Sequence, residues 1–251
     1  MNYVMTVLVG LFLATSAFGE RKKTVPQKVE DDVNTILATA EEIRSPKQAE
    51  IFVNLVTTQA KQKTSYEMKI LRSTERRAHI DFLGPKEERG RRMLAQGNRY
   101  WSTFPSSRRV VAISRKEMIG NSAFALADIF QMDAEKDYNA KIVERTTIAK
   151  KAVLKLQLDA KHEDSPYFKI FYWVEVDGYY PVQAEFYGFS GNLLKTMTVG
   201  PRKKLAGRER PESLIMKDEV IVGRRSVWNT QKMRQYQFPD HVFTKEYLKK
   251  Q

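Results

Sequence analysis

Residues 153–159, VLKLQLD, set Leu154, Leu156 and Leu158 against Lys155, Gln157 and Asp159 in strict alternation. Period two puts the leucines on one side of an extended chain and the polar residues on the other, which is a strand with one buried and one wet face. The same period opens at Ser65, where Tyr66, Met68 and Ile70 alternate with Glu67 and Lys69. It continues through HIDFL (79–83), RRMLA (91–95), RYWSTF (99–104) and RVVAI (109–113), and resumes in FKIFYWVEV (168–176), PVQAEFYG (181–188) and LLKTMTV (193–199). Two more strands are expected near 213–222 and 224–231. Gly84-Pro85, Gly97-Asn98, Pro105-Ser106-Ser107, Asp177-Gly178 and Ser190-Gly191-Asn192 punctuate the series. Short runs broken by turn residues at intervals of roughly eight to twelve predict consecutive antiparallel strands.

Two stretches depart from this period. Val29, Val33, Ile36, Leu37 and Ala40 recur at helical spacing behind Pro26, and Ser45-Pro46 ends the run. The stretch from Ala49 to Val56 fits strand or helix. At 115–137 the strand series is interrupted: Gly120, Asn121 and Ser122 precede Phe124, Leu126, Ile129, Phe130 and Met132, and Asn121 or Ser122 suits the cap of a short helix. A helix this apolar has to be covered, and the concave side or open end of the sheet is the natural cover. It reads either as a fixed structural plug or as a movable lid over a cavity. With no internal repeat, low-complexity stretch or linker, residues 20–251 are expected to form one domain.

The chain's start carries a different signal. Its first nineteen residues contain no Lys, Arg, Asp or Glu, and an apolar run from Val4 to Ala14 leads to Ala17-Phe18-Gly19, with small residues placed for signal-peptide cleavage. That run falls short of the roughly 20 residues that span a bilayer. Residues 1–19 are thus expected to be a removed export signal. Without any cysteine, neither a lipidated cysteine nor a disulfide is available. The expectation is a soluble protein in the periplasm of a Gram-negative bacterium.

The formal net charge of +13 stays with the mature chain. It comes as scattered doublets, Arg76-Arg77, Arg91-Arg92, Arg108-Arg109, Lys150-Lys151 and Arg224-Arg225. One doublet suits any solvated sheet face; their sum favours an anionic surface, which in the periplasm means lipid headgroups. Export separates the chain from nucleic acid, so none is expected as a partner, although RYWSTFPSSRRVV (99–111) mixes aromatics and arginines in a manner suited to bases. Catalytic patterns are missing as well. His79, His162 and His241 lack metal-ligand spacing, no HExxH or GxSxG occurs, and Gly84 to Gly90 has no GK[ST]. No enzymatic activity, metal or cofactor is expected.

Several spaced motifs then align with one family: RGRRML (89–94), RYWSTFPSSRRVVAIS (99–114), GNSAFALADIF (120–130), DYNAKIV (137–143), YFKIFYWVEVDGYYPVQAEFY (167–187), SGNLLKT (190–196) and FPDHVFTKEYL (238–248). Together they resemble the LolA-like outer-membrane lipoprotein-sorting protein family, in its exported branch distinct from the lipoprotein carrier itself. The resemblance implies an incompletely closed antiparallel β-barrel wrapped around an N-terminal helix and a short lid helix, with an apolar interior that accepts acyl chains. The helix at 28–43 and the segment at 121–132 match the elements that cover the mouth. Around Asp128 this chain has Ala123, Ala125, Leu126 and Ala127, a more apolar lid than the family pattern, and no arginine is matched to the one that controls the carrier's lid.

On that fold the candidate cavity wall is Met68, Ile70, Phe82, Met93, Trp101, Phe104, Val111, Leu154 and Leu156. The candidate lid residues are Phe124, Leu126, Ile129 and Phe130, and the headgroup or partner contacts are Arg91, Arg92, Arg108 and Arg109. Tyr100, Ser102 and Phe104 share one strand face and Trp101 and Thr103 the other; the sequence leaves open which looks inward. Methionines through the strands suit an adaptable interior and ordinary core filler alike. The expected function is a carrier or chaperone for lipid acyl chains or lipoprotein, with an anionic membrane surface and an inner-membrane transporter as partners. The alternative is an adaptor subunit of a membrane transporter or envelope complex, using the same fold with a filled core.

Overall fold

The computed structural model describes residues 32–74, 76–105, 107–129 and 134–249; the expected signal, Pro26 and Val29 lie outside them. Helix α1 spans Val33–Arg44. Strands β1 (Ala49–Gln59), β2 (Gln62–Ser73), β3 (Arg77–Gly84), β4 (Arg92–Gln96), β5 (Arg99–Phe104) and β6 (Ser107–Ile113) follow as a meander. The short helices α2 (Leu126–Ile129) and α3 (Ala134–Asp137) then lead to β7 (Tyr138–Ile148), β8 (Lys151–Ala160), β9 (Lys169–Glu175), β10 (Pro181–Tyr187) and β11 (Leu193–Val199). A small hairpin, β12 (Arg202–Leu205) and β13 (Arg208–Pro211), precedes β14 (Ser213–Asp218) and β15 (Arg225–Arg234), and α4 (Lys245–Lys249) ends the described chain. Thirteen strands of the described residues form one sheet in the order β6-β5-β4-β3-β2-β1-β15-β14-β11-β10-β9-β8-β7, antiparallel throughout its pairs. β6 and β7 are its free edges, so the barrel is incompletely closed.

Cross-strand register decides which side chains meet, because directly opposed residues share a face. Ile51, Ile70, Ile80, Met93, Ser102 and Val111 oppose one another in sequence across β1 to β6. The inward residues of this half join Leu154, Leu156, Leu158, Ile170, Tyr172 and Val174 from the far half in one core. Helix α1 enters that core with Ile36, Leu37 and Ala40 fully buried. Its start is fixed by the Asp32 carboxylate, which accepts from Asn34 N–H at 3.0 Å, and its end by the extended Ser45.

The expected strand series is present in register with its apolar faces. The ambiguous run from 49 is a strand, since Ile51, Val53 and Leu55 alternate inward. β7 and the β12–β13 hairpin were not foreseen. The outer residues of β7 are exposed at a free edge, and the hairpin is charged, so neither carries a strong apolar alternation. The short helix expected in the 115–137 insert starts later than Asn121 or Ser122. Its described part is the turn α2, Met118 pairs with Ala125 in an isolated bridge just before it, and Phe130 and Met132 lie outside the described residues.

A second core lies on the outer face. Leu71, Leu94 and Trp101 are covered there by Val242, Phe243 and Leu248 of the C-terminal segment. Beside it, Asp81 is bonded by His79 Nε2 at 2.9 Å and lies 3.2 Å from both Lys69 and Arg92. Burial alone would raise the Asp81 carboxyl; the hydrogen bond and charge of His79, then Lys69, outweigh it and hold it down at about 2. A carboxyl lowered on folding stabilises above its unfolded value of 3.8 and loses that contribution as pH falls through 2. Asp81→Asn should therefore cost about 2 kcal/mol at pH 6. In denaturant titrations its deficit against the parent should shrink toward zero between pH 4 and pH 2.

Candidate functional site

The chain passes from one free edge of the sheet to the other through residues 114–137, and the first described part of this connection, 114–129, plugs the concave side. Gly120 sits at φ +54°, where a Cβ would lie 2.1 Å from the Tyr66 hydroxyl oxygen. That close approach lets Asn121 N–H donate to Tyr66 Oη at 3.2 Å, while Tyr66 Oη–H donates to Asn121 Oδ1 at 3.0 Å. Ala123 N–H donates to Ser226 Oγ at 2.8 Å, and Phe124 packs on Trp228 with ring centroids 5.8 Å apart. Asp128 reaches back to accept from Ala125 N–H at 2.7 Å, the reciprocal contact that starts a helix, which is why the turn α2 begins there.

Four cationic or phenolic side chains from the wall hold this plug. Lys195, inward on β11, donates to Asp128 Oδ2 at 2.5 Å and to the Ala123 carbonyl at 3.3 Å. Tyr167 donates to Asp128 Oδ1 at 2.6 Å. Arg44 of α1 donates to the Asp128 carbonyl at 2.8 Å, and Arg72 of β2 donates to the Ile129 carbonyl at 3.3 Å. Arg44 also pairs with Glu41 at 2.6 Å, and Glu41 accepts from Tyr172 Oη at 3.3 Å. The Lys195 and Asp128 side chains are 6% and 4% exposed, so this is a buried ion pair.

The titration of these groups follows from that burial. Desolvation opposes the charge on Arg44, but Glu41 outweighs it and raises the guanidinium above its ordinary value. Arg72 is lowered, first by burial and then by Arg44. Burial pushes Tyr167 and Tyr172 well up, aided by Asp128 and Glu41 respectively, so both remain hydrogen-bond donors.

With the plug seated, little space remains. The cavity between α1 and the inner wall, lined by Tyr100, Asp128, Tyr172 and Met197 among others, is about 40 Å³. That is room for water and none for a hydrocarbon chain. A half-open cleft of about 250 Å³ lies at the plug's other flank, where Met118, Ala125 and Ala127 face Leu194, Val220 and Ile221. Among the described residues no group of three or more His, Asp or Glu is placed to hold a metal, and no helix is long and apolar enough to cross a membrane.

A family model described as "-like: Uncharacterized protein" matches residues 74–250. The LolA superfamily protein NE2245 from Nitrosomonas europaea is 27% identical, with a TM-score of 0.79 over 87% of this chain and 100% of its own. The chain belongs to the LolA-like family. A candidate outer membrane lipoprotein-sorting protein domain from Vibrio parahaemolyticus shares the fold at 22% identity and a TM-score of 0.74, again over 87% of this chain and 100% of its own. A DUF1329 family protein from Desulfovibrio piger does so at 16% identity and 0.75, with the same coverage. None of the curated proteins matches significantly.

In this LolA-like chain the structure brings Met68, Ile70, Phe82, Met93, Leu154 and Leu156 together on the inner wall, under Phe124, Leu126 and Ile129 of the plug. Phe130 lies outside the described residues. Three wall assignments are corrected. Trp101 faces outward beneath the C-terminal segment, because Tyr100 takes the inward position on β5. Phe104 is exposed past a register shift at the end of β5, and Val111, although inward in register, is exposed on the edge strand β6. Two surface assignments change as well. Arg91 is buried, with its guanidinium 5.5 Å from the Phe82 ring and 5.4 Å from Phe104, and is bonded to Ser102 and Glu88. Arg92 is half-buried on the outer face beside Asp81. Arg109 is exposed on β6, and the Arg108 side chain lies outside what is described.

The polar anchors Arg44, Arg72, Tyr167 and Lys195 were missed in the sequence. Replacing Lys195 by Met alone strands the Asp128 carboxylate in the interior and should cost about 3–5 kcal/mol. Lys195→Met combined with Asp128→Asn should recover a large part of it in chemical denaturation. Gly120→Ala should push Tyr66 aside and cost about 1–3 kcal/mol, with faster amide exchange confined to the plug.

Proposed function

We propose that this LolA-like chain is a periplasmic carrier or chaperone for lipid or lipoprotein acyl chains, and that the structure shows the plug in its seated position. The observation that carries this reading is the manner of closure. The plug is pinned through Asp128 and three backbone carbonyls to Lys195, Arg44 and Arg72, over a largely apolar wall. A purely structural plug in such a wall is better held by hydrocarbon, since buried ion pairs add little stability over apolar packing. Charged anchors instead regain hydration when they part, which suits a plug that leaves and returns.

The space beneath it suits hydrocarbon once the plug has moved. A free acyl chain of fourteen methylenes exposes surface worth on the order of 10 kcal/mol, at about 0.8 per methylene. Only a groove that surrounds the chain offsets that. Release follows from an acceptor, a membrane or a transporter in the inner membrane, that binds the open state better than the closed one. The uncharged leader at residues 1–19 supports export to the periplasm, and the net charge of +13 supports anionic lipid partners over nucleic acid. The carrier needs no catalysis, metal or cofactor.

The small 40 Å³ cavity favours a second reading, an envelope adaptor with a permanently filled core. One experiment separates them. The chain has no cysteine, so Ala123→Cys with Ser226→Cys, at the plug–wall contact, gives a single possible disulfide. Protein purified without detergent should yield lipid in organic extracts by mass spectrometry. The oxidised double variant should fail to take up a fluorescent fatty acid, and reduction should restore uptake. Lipid-free extracts together with no uptake by the parent chain would favour the adaptor.

A further inference from the structure

The turn between β14 and β15 presents Val220, Ile221 and Val222 to solvent, with Val220 63% and Val222 93% exposed. An apolar triplet at the tip of a hairpin costs solubility and gains nothing for the core. The turn is nevertheless built rigidly. Asp218 Oδ1 accepts from Val220 N–H at 2.9 Å and Ile221 N–H at 2.6 Å, while its Oδ2 accepts from Arg224 Nε at 3.0 Å and Nη2 at 2.5 Å. The apex is thus held in shape before it meets anything, so docking would lose little conformational entropy.

Register places basic side chains around it. Lys217 opposes Arg225, Arg225 opposes Thr58, and Thr58 opposes Lys63, so three exposed cations line up along the outer face at this end of the sheet. On the other flank, Glu219 N–H donates to the carbonyl of Leu194 at the start of β11, which ties the turn to the strand that follows the β10–β11 connection. In that connection exposed Phe189 lies 5.7 Å from exposed Phe168, with Lys116 5.3 Å from the Phe189 ring and Lys169 5.6 Å from the Phe168 ring. The acidic neighbours are occupied: Asp218 by Arg224, and Glu219 by Lys217 at 2.8 Å and Thr196 at 3.2 Å. Glu117 of the plug is exposed nearby in sequence to Lys116. The same turn walls the half-open cleft through Val220 and Ile221.

We propose that this end of the barrel docks on an anionic phospholipid bilayer, with Val220, Ile221 and Val222 entering the acyl region and Lys63, Arg225, Lys116 and Lys169 meeting the headgroups. Apolar residues ringed by cations match the two layers of such a surface, and each basic residue near it strengthens binding roughly fivefold. Docking brings the cleft beside the plug to the bilayer, the position in which a carried acyl chain would cross. This adds a membrane-facing surface to the carrier reading without depending on it.

The test is sedimentation of the full-length mature protein with vesicles of phosphatidylglycerol and phosphatidylethanolamine, against vesicles of phosphatidylcholine alone. The parent should bind the anionic vesicles at least tenfold better. Val220→Asp with Val222→Asp should weaken that binding tenfold or more at an unchanged melting temperature, whereas Val143→Asp, at an exposed position on β7, should stay within twofold. Val222→Cys carrying an environment-sensitive fluorophore should shift to the blue on anionic vesicles. Failure of the parent to bind, apex substitutions without effect, equal loss in the Val143 variant, or an unshifted fluorophore would each overturn the docking surface. Lipid in the extracts without vesicle binding would reject docking and keep the carrier; vesicle binding without extracted lipid would do the reverse.

Discussion

The buried pair of Lys195 and Asp128 is the constraint around which the interior is arranged. An ammonium and a carboxylate removed from water lose several kcal/mol of hydration each, and their attraction makes this good only with close geometry and further hydrogen bonds. The carboxylate receives those bonds from Tyr167, before β9, and from Ala125 N–H within the plug, and the ammonium donates to the Ala123 carbonyl. Arg44 from α1 and Arg72 from β2 add bonds to the backbone carbonyls of Asp128 and Ile129, so the plug is held from several elements of the wall. The result is one seated position and few compromises near it. A plug held by methyl contacts alone could slide; one held by directed charges is either in place or out.

This has a consequence for the apolar wall. Phe124, Leu126 and Ile129 cover inner-face residues that would otherwise meet water, so leaving the seat is costly unless something apolar takes the plug's place. Hydrocarbon does that and water does not. The ionic anchor and the apolar wall thus act in opposite directions, one favouring departure into water and the other requiring a replacement. The sheet around them is braced from outside by its second core, where the C-terminal segment covers Leu71, Leu94 and Trp101. On the proposed reading, movement is confined to the connection between the two free edges.

Much of the wall was legible because strand alternation is a local signal. Leu154, Leu156 and Leu158 face inward as their spacing requires, and so do Tyr66, Met68 and Ile70. The same patterns contained the anchors, read one step too short. Arg72 continues the Tyr66, Met68, Ile70 series, and Lys195 shares a face with Met197; a cation at an inward position is the signal of a buried charge. Glu41 and Arg44 likewise follow Leu37 at helical spacing and share its buried face. What no local pattern could give is the partner. Lys195 meets Asp128 across 67 residues and Arg44 meets it across 84, distances set only by the sheet order. Trp101 shows the same limit from the other side, since its covering residues come from the distant C-terminal segment.

The central claim is that the plug leaves its seat to admit hydrocarbon. The distance between spin labels at Glu117→Cys on the plug and Gln62→Cys at the start of β2 tests it most directly, because no other cysteine can be labelled. Without ligand the distribution should be single and narrow, and a long-chain fatty acid at saturation should add a second, longer population. A distribution that stays single and unchanged at saturating fatty acid would contradict the account.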